Sequence, residues 1–157
     1  SLDFARLTQP GTWGGNFAPG DPVLYVGNTL TGGSLGPITL DFGSQLLSAF
    51  GSQIQAIPTG GAFTAELDIY NGATLEGTVT EGGNSTSAND NSAIFIGLTS
   101  NISFTKVIIS VPTGTGTAND FGINQADFIP VPVPEPSTIA LLTLGALGLL
   151  ARRRANN

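Results

Sequence analysis

An all-β fold follows from three features of the sequence. Short runs alternate apolar with polar residues, turn signals recur between them, and the body has no stretch of convincing helical periodicity. Gly 22 and Pro 10, with abundant Thr, Ser and Asn, favour turns and strands over helices. The expected architecture is an antiparallel β-sandwich, jelly-roll-like, built from about eight or nine short strands. A closed barrel is the alternative. A Pro-rich linker and a short C-terminal hydrophobic helix are expected to follow.

Taken in order, Leu2, Phe4 and Leu7 mark a short first strand, and Gln9 to Phe17 form a Gly-rich loop that carries Trp13. Pro22 to Val26 is a β-rich run between Gly-Asp and Gly-Asn, hence a strand. Ile38, Leu40 and Phe42 alternate with Thr39 and Asp41, which suits a half-buried strand. Residues 46–57 read two ways, because Leu46, Phe50 and Ile54 share a face at helical i, i+4 spacing and also at even strand spacing. Gly43, Gly51 and the weak helix formers around them decide for a strand, bulged at Gly51. Ala62 to Tyr70 alternates cleanly, with Phe63, Ala65, Leu67 and Ile69 toward the core and Thr64, Glu66, Asp68 and Tyr70 outward. Asn71-Gly72 supplies a hairpin turn, and Thr74 to Val79 returns antiparallel. Glu81 to Ser92 reads as a mobile polar loop. Ala93 to Leu98 and Ile102 to Val111 are two further strands, the second nearly continuous in apolar residues and so central. Pro112 to Ala118 is a loop. In Phe121 to Phe128 the apolar parity switches between Ile123 and Ala126, as a bulge near Asn124 requires.

Composition excludes several chemistries. The 157 residues contain neither Cys nor His. That removes a Cys nucleophile, a Ser-His-Asp triad, a thiolate or imidazole zinc site and a disulfide. Charged residues are 10%, well below the usual quarter, and the net charge is −6. Of the five basic residues only Arg6 and Lys106 precede the tail. The acidic body should repel nucleic acid, whose binding needs basic side chains against phosphates. No Met occurs, even at position 1, so the lack of an N-terminal signal peptide here says nothing against export.

Few residues in the body suggest chemistry. Trp13, Tyr25 and Tyr70 are aromatics that could stack on a sugar ring, and an aromatic lid over one end of a sandwich is the simpler role for Trp13. Glu66 and Asp68, two apart on one strand face, would lie ~6–7 Å apart, near the spacing of inverting glycosidases. Without a facing substrate cleft, such a pair more simply serves solubility. Asp90, Asp120 and Asp127, with Asn84, Asn89, Asn91, Asn119 and Asn124, supply oxygen ligands in loops of the kind calcium takes. No EF-hand spacing is present, and Asn and Asp also make turns. Apart from calcium, no cofactor or metal is expected. Asn84-Ser85-Thr86 and Asn101-Ile102-Ser103 match the glycosylation acceptor pattern.

The most legible stretch is the C-terminus. Pro130, Pro132, Pro134 and Pro136 make a semi-rigid extended spacer that contains Val133-Pro134-Glu135-Pro136. Ile139 to Ala151 is an apolar run of about thirteen residues, ~20 Å as a helix against a hydrocarbon core of ~30 Å. Arg152, Arg153 and Arg154 close it and favour a cytoplasmic C-terminus with residues 1–134 outside. On these grounds alone a tail anchor and a processed membrane stop stand level.

A Pro-Glu-Pro signature, a hydrophobic segment and a basic cluster, in this order at this terminus, resemble the PEP-CTERM sorting signal of exported bacterial proteins. The resemblance implies recognition by exosortase, an integral-membrane transpeptidase-like enzyme, and cutting at Pro134, Glu135 and Pro136, with Arg152, Arg153 and Arg154 as the basic end. Gly14 to Gly20, Ile38 to Phe42, Ser87 to Gly97 and Asn119 to Asn124 also resemble segments of the family's ectodomains, in which a β-sandwich ends in a strand just before the motif.

The expected organisation is therefore a sandwich ectodomain at 1–129, a linker at 130–136 and a sorting signal at 137–157, with its helix at 139–151 and its basic tail at 152–154. The expected function is that of a non-enzymatic, exported protein. It would sit transiently in the inner membrane through residues 139–151, then in the cell envelope, on the outer surface or in the extracellular polysaccharide matrix. A carbohydrate-binding module acting on exopolysaccharide, with or without calcium, is the alternative, and a glycan-cleaving enzyme the more remote one.

Overall fold

The computed structural model describes residues 4–27, 35–57 and 61–132. They form nine strands: β1 (Phe4–Thr8), β2 (Pro22–Val26), β3 (Ile38–Asp41), β4 (Leu47–Ala56), β5 (Gly61–Asn71), β6 (Thr74–Ser85), β7 (Ile94–Phe104), β8 (Lys106–Gly114) and β9 (Phe121–Pro130). A five-stranded sheet runs β1-β2-β9-β4-β7 and a four-stranded sheet runs β3-β8-β5-β6. The described pairings are all antiparallel. Phe50, Ile54 and Ile96 from the first sheet share one core with Leu67, Ile69 and Ile109 from the second. This is a sandwich of two open sheets.

Alternation places most of the core where the sequence predicts it. Phe63, Ala65, Leu67 and Ile69 of β5 are all buried, and so are Val107, Ile109 and Val111 of β8. Of the nearly continuous apolar run, only the part from Lys106 onward is internal, as β8 between β3 and β5. Asn71 pairs with Thr74 across the predicted hairpin, where Gly72 takes φ 60.

Three sequence expectations shift. The run Ile102 to Val111 is not one strand, because residues up to Phe104 pair with β4 and residues from Lys106 pair with β3 and β5. The chain changes sheets at Thr105, whose N–H donates to the Tyr70 carbonyl at 2.8 Å. Secondly, β6 extends to Ser85, so the first part of the predicted loop Glu81 to Ser92 is strand. Thirdly, Leu46 is 40% exposed while Leu47 is buried. A register shift between Leu47 and Ala49 puts Leu47, not Leu46, on the face of Phe50 and Ile54.

The predicted bulges near Gly51 and Asn124 are two sides of one irregularity. Gly51 pairs with Asp127 and Gln53 with Asn124, so Gln125 and Ala126 of β9 oppose Ser52 alone. Gln125 takes φ 56 there, and the buried Ser52 hydroxyl donates to its carbonyl at 2.5 Å.

A second, smaller apolar cluster lies on the other face of the five-stranded sheet. Leu7, Val23 and Tyr25 meet Trp13 and Phe17 from the β1–β2 loop, with Trp13 5.5 Å from the Tyr25 ring and 6.0 Å from Phe17. The loop thus acts as a lid over the sheet face rather than over an end.

The register shift has a direct test in urea unfolding. Leu47→Ala should lose ~2–5 kcal/mol, as large-to-small core substitutions do. Leu46→Ala should stay within ~0.5 kcal/mol of the parent, as exposed sites do.

Candidate functional site

Antiparallel pairing brings five chain features to one end of the sandwich. There β3 ends, β4 begins, β5 turns into β6, β7 passes to β8 and β9 finishes. The sheet holds β9 to its last residue. Leu47 pairs with Pro130, and the Val131 N–H donates to the Leu46 carbonyl at 2.8 Å. The hydrogen bonding of the body therefore runs two residues past the predicted boundary at 129, to Val131, and Pro132 leaves it exposed.

Trp13 and Tyr25 do not serve as glycan contacts. Both have 0% exposure, and a ring with no accessible face cannot stack on a sugar. Their polar atoms are used internally, the Trp13 indole N–H donating to Gln55 Oε1 at 3.1 Å and the Tyr25 hydroxyl to Asp120 Oδ1 at 2.6 Å. Tyr70 is half-buried at the exit end, and Lys106 Nζ sits 4.5 Å from its ring centre, which occupies one face.

The oxygen ligands are likewise dispersed. Asp120 is buried against Tyr25, Asp90 lies in the β6–β7 loop, and Asp127 lies on the outward face of β9. Among the described residues no group of three or more acidic side chains is placed to hold a metal ion. Glu66 and Asp68 stand on the outward face of β5, where Asp68 accepts from the Thr78 hydroxyl of the neighbouring strand.

What the sequence does not reveal is a buried amide hub. Gln55 follows the core residue Ile54, so its side chain points to the opposite face, under the β1–β2 loop. Its Oε1 accepts from the Asn16 backbone N–H at 2.6 Å and from Trp13, while its Nε2 donates to Asn16 Oδ1 at 2.7 Å and to the Thr86 carbonyl at 3.0 Å. Asn16 in turn ties the β6–β7 loop. Its Oδ1 accepts from Thr86 N–H at 2.7 Å, and its Nδ2 faces Thr86 Oγ1, Ser92 Oγ and Asp90 Oδ1 at 2.6, 2.8 and 3.3 Å. Gln9 adds a second pair of bonds to Gly15 and donates to Asn89 Oδ1. The loop expected to be mobile is thus pinned to the body. The only signal in the sequence was a Gln within the apolar run from Ile54 to Ile57.

One open groove has apolar and acidic walls together. It measures about 450 Å³ and lies across β9, β4 and β7 on the five-stranded sheet, with Asp127 and Thr99 beside Phe95. Phe95 is 56% exposed, and its ring lies on a shelf of two glycines. A Cβ at Gly51 would come within 2.2 Å of the ring and one at Gly97 within 2.8 Å, so only residues without side chains let it lie flat.

The remaining functional stretch begins where β9 stops. Residues 132–154 match the family description "PEP-CTERM protein-sorting motif". This chain carries a PEP-CTERM sorting signal. No curated protein and no solved structure matches the chain. Pro132, the first matched residue, is within one residue of the last hydrogen bond to the sheet, so the PEP-CTERM signal follows the ectodomain without an intervening domain. Val133, Pro134, Glu135, Pro136, the predicted helix at 139–151 and Arg152, Arg153 and Arg154 lie outside the described residues. Among the described residues no helix is long and apolar enough to cross a membrane. The signal marks the chain for export and for exosortase processing at the membrane.

Two outcomes test the hub. Gln55→Leu leaves Trp13, Asn16 and Thr86 groups unpaired at ~1–3 kcal/mol each, and the total loss should exceed ~3 kcal/mol in urea unfolding followed by the single Trp. The Asp90 carboxyl is held below its ordinary value of 3.8, chiefly by the Ser92 hydroxyl and then by Asn16, with desolvation opposing them. A lowered folded value means that the charged form favours folding, a contribution complete above 3.8 and lost as pH falls through the lower folded value. Asp90→Asn should therefore be less stable than the parent at neutral pH, with the difference closing only in acid below 3.8.

Proposed function

We propose that this protein is a non-enzymatic structural component of the cell envelope or extracellular polysaccharide matrix, delivered there by its C-terminal signal. The observation that carries the reading is the direct passage from a sheet-bound β9 into the sorting motif at Pro132. Two features of the body support it. The carboxylates that might have formed a catalytic pair stand on an outward sheet face, and the acidic side chains suggested for calcium go to three separate places. A polar but weakly charged, hydrogen-bonded surface suits a protein packed among hydrated glycans.

Processing has a simple readout. Mass spectrometry of the mature protein from its native host should find a C-terminus between Pro134 and Pro136. Recovery of chains ending at Asn157 from mature cells would refute the sorting step.

A glycan-binding role has one observation in its favour, through a different aromatic from those the sequence suggested. The Phe95 ring lies flat with an exposed face, and Asp127 and Thr99 beside it offer hydrogen-bond partners to sugar hydroxyls. On a glycan array, Phe95→Ala should abolish any binding that the parent shows, while Tyr70→Ala leaves it intact. Equal binding by Phe95→Ala and the parent would end this reading.

A further inference from the structure

The exposed large apolar residues of the described body are not scattered. Leu46, Leu75, Ile102, Phe128 and Ile129, at 40, 52, 53, 48 and 58% exposure, all belong to the end of the sandwich from which the chain leaves. Leu46 precedes β4, and its carbonyl holds Val131. Phe128 and Ile129 pair with Phe50 and Ala49 near the end of β9. Ile102 lies between Thr99, which pairs with Ala49, and Phe104, which pairs with Leu47. Leu75 pairs with Tyr70 beside the β5–β6 hairpin. Phe128 also packs on Phe42, ring to ring at 5.4 Å, so the apolar surface runs inward to the core. Phe4 and Phe95 are the exposed large apolar residues elsewhere.

We propose that this exit end docks on the surface of the lipid bilayer while the C-terminal apolar segment is inserted, seating the domain on the membrane for processing. The inference rests on the sorting reading above. What decides the occupant is the length of chain beyond the structure and where it leads. From Val131 to Thr138 there are roughly eight residues, which span at most ~28 Å even when fully extended. Ile139 to Ala151 then follows, about thirteen apolar residues against the ~30 Å hydrocarbon core. A tether this short keeps the exit end, rather than the far end, against the headgroups. Leucine, isoleucine and phenylalanine side chains are the types that enter the headgroup and acyl boundary of a bilayer. Lys106, at the same end and packed on Tyr70, places a cation at headgroup level. The acidic body opposes anionic lipid, so the surface that fits is zwitterionic.

Docking would hold the Pro-Glu-Pro segment close to the bilayer, at the depth where an integral-membrane protease acts. It would also compensate for the short apolar segment, since contacts at the surface add to those in the core.

The absence of Cys makes the test clean. Full-length chains carrying Ile129→Cys, Leu75→Cys or Gly82→Cys are labelled with an environment-sensitive fluorophore and mixed with phosphatidylcholine–phosphatidylethanolamine vesicles. Gly82 is exposed on β6, away from the exit end, and a side chain there meets nothing within 4 Å. The chains should float with the vesicles. Labels at 129 and 75 should shift to the blue and lose several-fold in aqueous quenching, with no change at 82. If the chains float but 129 and 75 stay as accessible as 82, docking is refuted and membrane insertion of the tail stands. If the chains do not float, both fail. Protection of 129 and 75 before vesicles are added would mean that a second copy covers this end, and would also overturn the proposal.

Discussion

The ladder between β4 and β9 holds the five-stranded sheet together. β9 joins the β1–β2 pair on one side to the β4–β7 pair on the other, so without it the sheet would fall into two hairpin-sized fragments, each marginal alone. The ladder also carries the irregularity that shapes the sheet. Two residues of β9 oppose Ser52, and the Ser52 hydroxyl satisfies the carbonyl that the bulge exposes. Beyond the bulge β9 no longer pairs with β2 and continues along β4 alone, which leaves Gln125 to Pro130 exposed. The strand that closes the core is therefore the strand that hands the chain to its sorting signal.

A body so poor in charge organises itself with amides and hydroxyls. Gln55 and Asn16 meet as two buried side-chain amides, each using its carbonyl and its NH₂, and among the described residues no buried side-chain polar atom lacks a partner. Buried amides are costly when unpaired and rigidifying when paired, so such a hub favours one seating of the β1–β2 loop. The same hub reaches through Asn16 to Ser92 and Asp90 and fixes the β6–β7 loop. Trp13 thereby serves stability. Its ring closes a second apolar cluster, and its N–H belongs to the hub.

The two ends of the sandwich divide the work. Away from the exit, Tyr25, Asp120 and the β8–β9 connection close the body with internal hydrogen bonds, as in the Ile57 N–H to the Asp120 carbonyl at 2.9 Å. At the exit end, apolar side chains remain in the open beside the last bonded residue. The body is thus closed by internal hydrogen bonds at one end and leaves apolar side chains uncovered at the end from which the sorting signal departs.

The sequence by itself determined what is local and periodic. Period-2 alternation placed Phe63 to Ile69 in the core, Asn71-Gly72 fixed the hairpin, the parity switch near Asn124 foretold the bulge, and the tail carried the sorting signal in its own order of residues. These rest on neighbours in the chain, which a sequence displays. Only the tertiary structure decided what depends on partners distant in the chain. Thr105 switches sheets because its two sides pair with different strands, and nothing in the apolar run from Ile102 to Val111 marks the break. A bulge at Leu47 chose it over Leu46 for the core. Trp13 and Tyr25 are interior because Gln55 and Asp120, 42 and 95 residues away, accept the hydrogen bonds of their N–H and O–H groups. The same aromatic residue stacks on a ligand or closes a core according to what the fold brings over it, and that is settled by packing rather than by residue type.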